Sequence, residues 1–201
     1  MKNINRYIHY YSFITLIELA ICFFYTKLFF KNARFIRGRI DIRGKRNIEF
    51  GKNFTCGRSV RIETNPDSNT KTLFIGDNVE FNDRVHITAF SKVIIGNNVL
   101  LASNIYISDT IHGSYLGDKF DSSPLLPPNS RNLSYKSVEI SDNVWIGEGV
   151  CILPGVKIGK GVIVGSNSVV TKNIPDYTIV VGSPAMVIKN FDFENKIWKK
   201  I

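Results

Sequence analysis

His112 stands in the stretch "YISDTIHGSY", Tyr106 to Tyr115, and is one of three histidines in a chain of 201 residues. A free imidazole has a pKa of about 6.5, so a neutral ring is available at cellular pH to take a proton from a hydroxyl or an amine. The same residue beside Gly113, at the head of a polar segment, also suits an ordinary turn, and its type and position leave both readings open. Cys22, Cys56 and Cys151 are odd in number and contain no CxxC spacing. They read as buried thiols in a reducing compartment, with no zinc site and no metal expected. If the histidine works as a base, some framework must hold it against its substrate.

The framework shows as a period. "ISDNVW", "IGEGVC", "ILPGVK", "IGKGVI", "VGSNSV" and "VTKNIP" follow one another in phase from Ile140, and earlier units such as "FNDRVH" and "IGNNVL" share the pattern. A strand on a flat sheet alternates by two and a helix by about 3.6. A period of six with Gly or Asn in nearly every unit instead needs a corner in every unit. Three units then close one triangular coil, with Ile140 over Ile158, Ile146 over Val164 and Ile152 over Val170. The period breaks twice. One break is the polar loop "IETNPDSNTKTL" at Ile62 to Leu73. The other runs from 109 to 137, where "SSPLLPPN" blocks helix and central strand alike. The second break is expected to be a structureless loop thrown out of a coil corner.

The chain carries a net charge of +9, unevenly spread: residues 1–61 hold thirteen Lys/Arg against three acids. Such a balance suits solubility or attraction to an anionic membrane or substrate. No zinc finger, helix-turn-helix or Arg/aromatic pattern points to nucleic acid. The apolar run "YYSFITLIELAICFFYTKLFF", Tyr10 to Phe30, carries Glu18 and Lys27 and no small-x-small cleavage site. Three readings stay open for it: an interfacial helix, a helix packed on protein, or a membrane span. The expected organisation is an N-terminal apolar and basic helical segment over 1–35, the repeat over 36–189, and a C-terminal tail or short helix over 190–201.

The late repeat and its tail, "VWIGEGVCILPGVKIGKGVIVGSNSVVTKNIPDYTIVVGSPAMVIK", resemble the hexapeptide-repeat, acetyl-CoA-dependent O-acetyltransferases, in particular those acting on capsule, O-antigen or exopolysaccharide sugars. The resemblance covers roughly Phe50 to Lys189 and implies an all-β, left-handed parallel β-helix. Its handedness comes from the resemblance alone, since ordinary β-crossovers are right-handed. It makes His112 the general base, although relatives often read "SDHxHG" where this chain has Ser108, Asp109, Thr110, Ile111, His112 and Gly113. It places Asn82 in the catalytic site and Trp145 at the thioester end of acetyl-CoA. Ser166, Thr171, Lys172, Gly182, Pro184 and Ala185 fall on cofactor-binding positions, with Lys189 the nearest basic residue once Met186 replaces a common lysine. Tyr106, Asp109, Tyr115 and His86 are candidates for the acceptor. The resemblance also implies a homotrimer with sites between subunits, in the cytoplasm or on the inner face of the plasma membrane.

Two other functions stand beside O-acetylation: N-acetylation of an amino-sugar nucleotide, and a non-catalytic scaffold in glycan assembly. Carbonic anhydrases of the same fold need three metal-binding histidines, and here His9 precedes the repeat.

Overall fold

A computed structural model describes residues 10–201; His9 and the first nine residues of the expected N-terminal segment lie outside them. The chain winds as a left-handed parallel β-helix with three faces. The first face stacks Phe35–Ile36, Thr55–Cys56, Glu80–Phe81, Leu100–Leu101, Trp145–Ile146, Ile163–Val164 and Thr178–Val181. The second stacks Asp41–Arg43, Arg61–Thr64, His86–Ala89, Tyr106–Ser108, Cys151–Ile152 and Val169–Val170. The third stacks Ile48–Phe50, Leu73–Ile75, Val93–Ile95, Val138–Ile140 and Lys157–Ile158.

Register follows the period. Ile140 pairs with Ile158, Ile146 with Val164 and Ile152 with Val170, all parallel. Inward columns such as Ile62, Ile87, Ile107, Ile152 and Val170 are fully buried. Each aliphatic side chain so removed from water contributes about 1.5–3 kcal/mol. The corners are set by left-handed residues: Asn53, Asn78, Asn98 and Asn143 all have φ between 54° and 60°. Asparagine tolerates that region, and its amide can bond along the stack. Asn53 donates to Asn78 at 3.0 Å, Asn78 to Asn98 at 3.1 Å and Asn98 to Asn143 at 3.2 Å.

Helix α1, Phe13–Phe29, covers the start of the prism. Ser12 caps it by accepting the Thr15 N–H. Tyr25 and Phe30 begin an aromatic chain that passes through Phe50 and Phe54 to Phe81 in the core. The Thr26 hydroxyl accepts the Ile36 N–H at 2.9 Å, and Glu18 pairs with Arg58. The acid that would be costly in lipid is thus satisfied on the protein. Among the described residues no helix is long and apolar enough to cross a membrane.

Two expectations need correction. The C-terminal segment is not helical: Met186–Asp192 and Ile197–Lys200 extend the first face as antiparallel strands, so the division expected at 189 falls inside a strand. The physical reason is the open edge left by Thr178–Val181, whose backbone groups need partners. Asp192 accepts the N–H groups of Glu194 and Asn195 and pairs with Lys199, which closes the hairpin. The excursion, in turn, is not structureless at its base. Thr110–His112 and Leu133–Tyr135 pair antiparallel, leaving from the edge between the second and third faces.

Candidate active site

His112 is delivered by that hairpin. Its ring is exposed, while the backbone around it is tied down. Tyr115 donates its hydroxyl to the His112 carbonyl at 2.7 Å and accepts from Arg131 at 2.6 Å. Ser134 donates to the Gly113 carbonyl at 2.6 Å. Gly113 has φ 105° and no room for a Cβ, which would meet the Tyr115 hydroxyl at 2.5 Å.

Asp109 anchors the root of the hairpin. It is fully buried, and its carboxylate accepts the backbone N–H groups of Phe90, Ser91 and Lys92 and the Thr110 hydroxyl. A carboxylate with those partners has no face left for an acceptor. Asp109 therefore positions His112 and is removed from the acceptor candidates. The Tyr115 hydroxyl is consumed within the loop, while its ring stays exposed. Thr110, where relatives often carry a first histidine, completes the Asp109 cluster.

His86 and Tyr106 do come together, on the second face. Their rings tilt against each other with centroids 5.2 Å apart. His86 Nε2 shares a hydrogen bond with Glu63 at 3.1 Å, and Glu63 is also bound by Arg61 and Arg43. Burial pushes the Glu63 carboxyl up, but the bonds from Arg61 and His86 and the Arg61 and Arg43 charges outweigh it and hold the group below the usual carboxylate range. Glu63 carried no signal in the sequence, because its partners stand 2, 20 and 23 residues away.

Asn82 lies in the corner between the first and second faces, in a small cleft lined by Arg37, Thr55, Glu80 and Asp83. Trp145 points outward from the first face and is 50% exposed. The register places Ile163, Ile179 and Lys189 after it on the same side of that face. A half-exposed indole, two aliphatics and a terminal ammonium form a strip suited to an apolar arm ending in phosphates, so these residues fit acetyl-CoA. Ser166 and Gly182 occupy corners beside this strip, and Gly182 N–H donates to Ser168. Pro184 and Ala185 follow, with the Ala185 N–H donated to the Val169 carbonyl. Thr171 and Lys172 are exposed at the other side of the second face, on the edge that carries His112.

The candidate residues therefore divide. His112, Thr171 and Lys172 share the edge between the second and third faces. Asn82, Trp145, Ser166, Gly182 and Lys189 belong to the first face or its edge with the second. One prism holds the two groups on opposite sides of its second face. Among the described residues no three His, Cys, Asp or Glu side chains gather as a metal-binding group.

The bacterial transferase hexapeptide family (six repeats) matches residues 137–172. WbbJ of Escherichia coli (strain K12), whose name assigns it O-acetyl transfer in lipopolysaccharide biosynthesis, is 41% identical over 175 residues, 87% of this chain and 88% of its own. A galactoside O-acetyltransferase of Lactococcus lactis is 34% identical over 62% of this chain and 57% of its own. Among solved structures, the acetyltransferase VCA0836 of Vibrio cholerae, complexed with acetyl coenzyme A, is 25% identical with a TM-score of 0.54, covering 76% of this chain and 71% of its own. AntD of Bacillus cereus, an N-acyltransferase in complex with dTDP and coenzyme A, shares the fold at 23% identity and a TM-score of 0.56, over 78% and 80% of the two chains. The six-residue coils agree with these likenesses, and the chain belongs to the hexapeptide-repeat family of acetyl-CoA-dependent O-acetyltransferases.

Proposed function

We propose that the protein moves an acetyl group from acetyl-CoA to a hydroxyl of a cell-surface saccharide or its precursor, in a homotrimer with His112 as general base. The division of the candidate residues between two edges carries this reading. A second copy, packed so that its first face meets the His112 edge, unites the histidine of one subunit with Trp145 of the next. Closed three-fold packing does this three times over and covers outward aliphatics such as Ile163 and Val169.

In that groove the exposed His112 ring takes the proton of the acceptor hydroxyl as its oxygen attacks the thioester carbonyl. The tetrahedral oxyanion collapses, the coenzyme leaves as a thiolate, and the imidazolium returns the proton to sulfur. Asn82 offers an amide donor to the acceptor or the oxyanion. The His86–Tyr106 pair offers a ring face to a sugar. Peripheral membrane contact through the N-terminal segment, on the cytoplasmic side, belongs to the same reading.

The test is incubation of the pure protein with acetyl-CoA and a panel of saccharide and sugar-nucleotide acceptors, read by mass spectrometry. One added acetyl on oxygen supports the reading. Acetylation confined to nitrogen, or no transfer despite acetyl-CoA binding, overturns it.

A further inference from the structure

Helix α1 leaves a continuous apolar stripe uncovered. Ile14, Ile17, Ile21, Phe24 and Leu28 are all exposed and recur every three or four residues. Spaced in this way they lie along one side of the helix for about 21 Å. The side facing the prism is different: Cys22 accepts the Gly38 N–H, Thr26 holds Ile36, and Glu18 holds Arg58.

The helix lies against a cationic edge. Arg37 and Arg39 in the first coil, Arg58 in the second and Arg84 in the third stand at the corners between the first and second faces. Glu18, Glu80 and Asp83 are the acids beside them, and each is engaged by Arg58, Arg34 or the Arg58 backbone N–H. Asn82 sits on this same edge, two coils above Arg37, or about 10 Å at the usual strand spacing. At the C-terminal end of the helix a cleft of about 320 Å³, walled by Phe29, Phe30, Phe50 and Phe54, opens beside Lys31 and Lys45. Apolar surface rimmed by cations thus appears at both ends of α1.

We infer that α1 and the arginine edge seat the protein on an anionic bilayer, and that its acceptor is a saccharide carried there on a lipid through phosphate. Charge selects this occupant over a second copy of the chain. The stripe would also suit a coiled coil, but joining copies there brings identical arginine edges together, whereas an anionic surface neutralises them. The apolar stripe then enters the headgroup boundary, the arginines meet phosphate, and Asn82 faces what the lipid carries. The docking stands on α1 and the edge alone; the nature of the acceptor rests also on the acetyl-transfer reading.

The test is flotation of the full-length protein with vesicles of phosphatidylcholine, of phosphatidylcholine with phosphatidylglycerol, and of phosphatidylcholine with a polyprenyl phosphate at matched charge. Binding should be weakest on neutral vesicles and strongest on polyprenyl phosphate. Arg39→Gln should weaken it roughly fivefold, from about 1 kcal/mol for a cation at the surface. Ile14→Ser with Ile21→Ser should weaken it about tenfold or more. Both variants should keep the wild-type affinity for acetyl-CoA by calorimetry. Equal binding to neutral vesicles, or variants that bind like the wild type, overturns the docking. So does self-association through α1 that Ile14→Ser with Ile21→Ser abolishes while vesicle binding persists. Equal binding to phosphatidylglycerol and polyprenyl phosphate, or full competition by soluble uridine diphosphate, overturns the lipid-borne acceptor. Docking as expected with no acetyl transfer to any acceptor defeats the proposed function and leaves the docking standing.

Discussion

Asp109 accepts the backbone N–H of Lys92 at 2.7 Å, joining the root of the histidine hairpin to the turn one coil below. The prism is rigid because its coils repeat, and this bond carries that rigidity into the excursion, which does not. The backbone that carries the exposed imidazole is tied at the hairpin root by a buried carboxylate and at the His112 carbonyl by Tyr115.

Asp109→Asn tests this arrangement. The amide keeps the shape but offers an NH₂ to a site whose neighbours are donors. Hydrogen bonds to charged groups contribute about 1.5–3 kcal/mol each, and part of the set survives, so a loss of about 2–4 kcal/mol in urea unfolding is expected. At temperatures where the variant is folded, kcat should fall while KM for acetyl-CoA holds. A variant with normal stability and turnover would remove Asp109 from any positioning role.

The shared site is tested by complementation. His112→Ala should lower kcat by about 10²–10⁴-fold, the usual contribution of a positioned base. Trp145→Ala should chiefly raise KM for acetyl-CoA. If the two residues meet across an interface, unfolding and refolding the two variants together should, at acetyl-CoA well below the raised KM, give activity that neither shows alone, because some interfaces pair an intact His112 with an intact Trp145. No recovery in mixed trimers would place the two residues in one subunit's site.

How much of this was legible beforehand depended on whether the signal was periodic. The stacking of Ile140 on Ile158 could be read because both partners recur at fixed spacing, and the register agrees. The antiparallel pairing of Thr110 with Tyr135 could not, since an aperiodic segment separates the two strands. Asp109 resembled an acceptor ligand because sequence shows a carboxylate beside a histidine but not the three amides that consume it. The C-terminal strands were missed for a related reason. A short amphipathic tail takes whichever structure the adjoining surface needs, and here that surface was an unpaired sheet edge.

Glu63 gives a pH signature. Its pKa is lowered in the folded protein by the bonds and charges from Arg61, His86 and Arg43, against the opposing effect of burial. Its contribution is therefore present above the ordinary carboxylate range and is lost as pH falls through the lowered value. Urea midpoints measured from pH 7 downward should drop less steeply for Glu63→Gln than for the wild type below about pH 4.5. Parallel curves would show that the carboxylate is not coupled to folding.

Cys56 should be chemically silent. Burial, with the Asp83 carboxylate nearby, pushes its thiol up to about 12. Thiolate is the reactive form, so almost none exists at neutral pH. Native protein treated with iodoacetamide at pH 8 should be modified at Cys22 and Cys151, both only half-buried, well before Cys56. Modification of Cys56 at a comparable rate would mean that the second coil opens readily.

Gly57→Ala links coil stacking to the site. A Cβ at Gly57 would meet the Asn82 carbonyl carbon at 2.6 Å and the Asp83 nitrogen at 2.7 Å. Both are backbone atoms, so the coil above must shift. Gly51→Ala makes an equivalent clash with the Gly76 backbone at 2.5 Å, but on the edge between the third and first faces, away from Asn82. Each substitution should cost about 1–3 kcal/mol, as overpacking usually does. Only Gly57→Ala should also displace Asn82 and lower acetyl transfer in protein verified as folded by circular dichroism. Equal loss of activity in both variants would mean that general loosening of the prism, rather than the position of Asn82, limits the reaction.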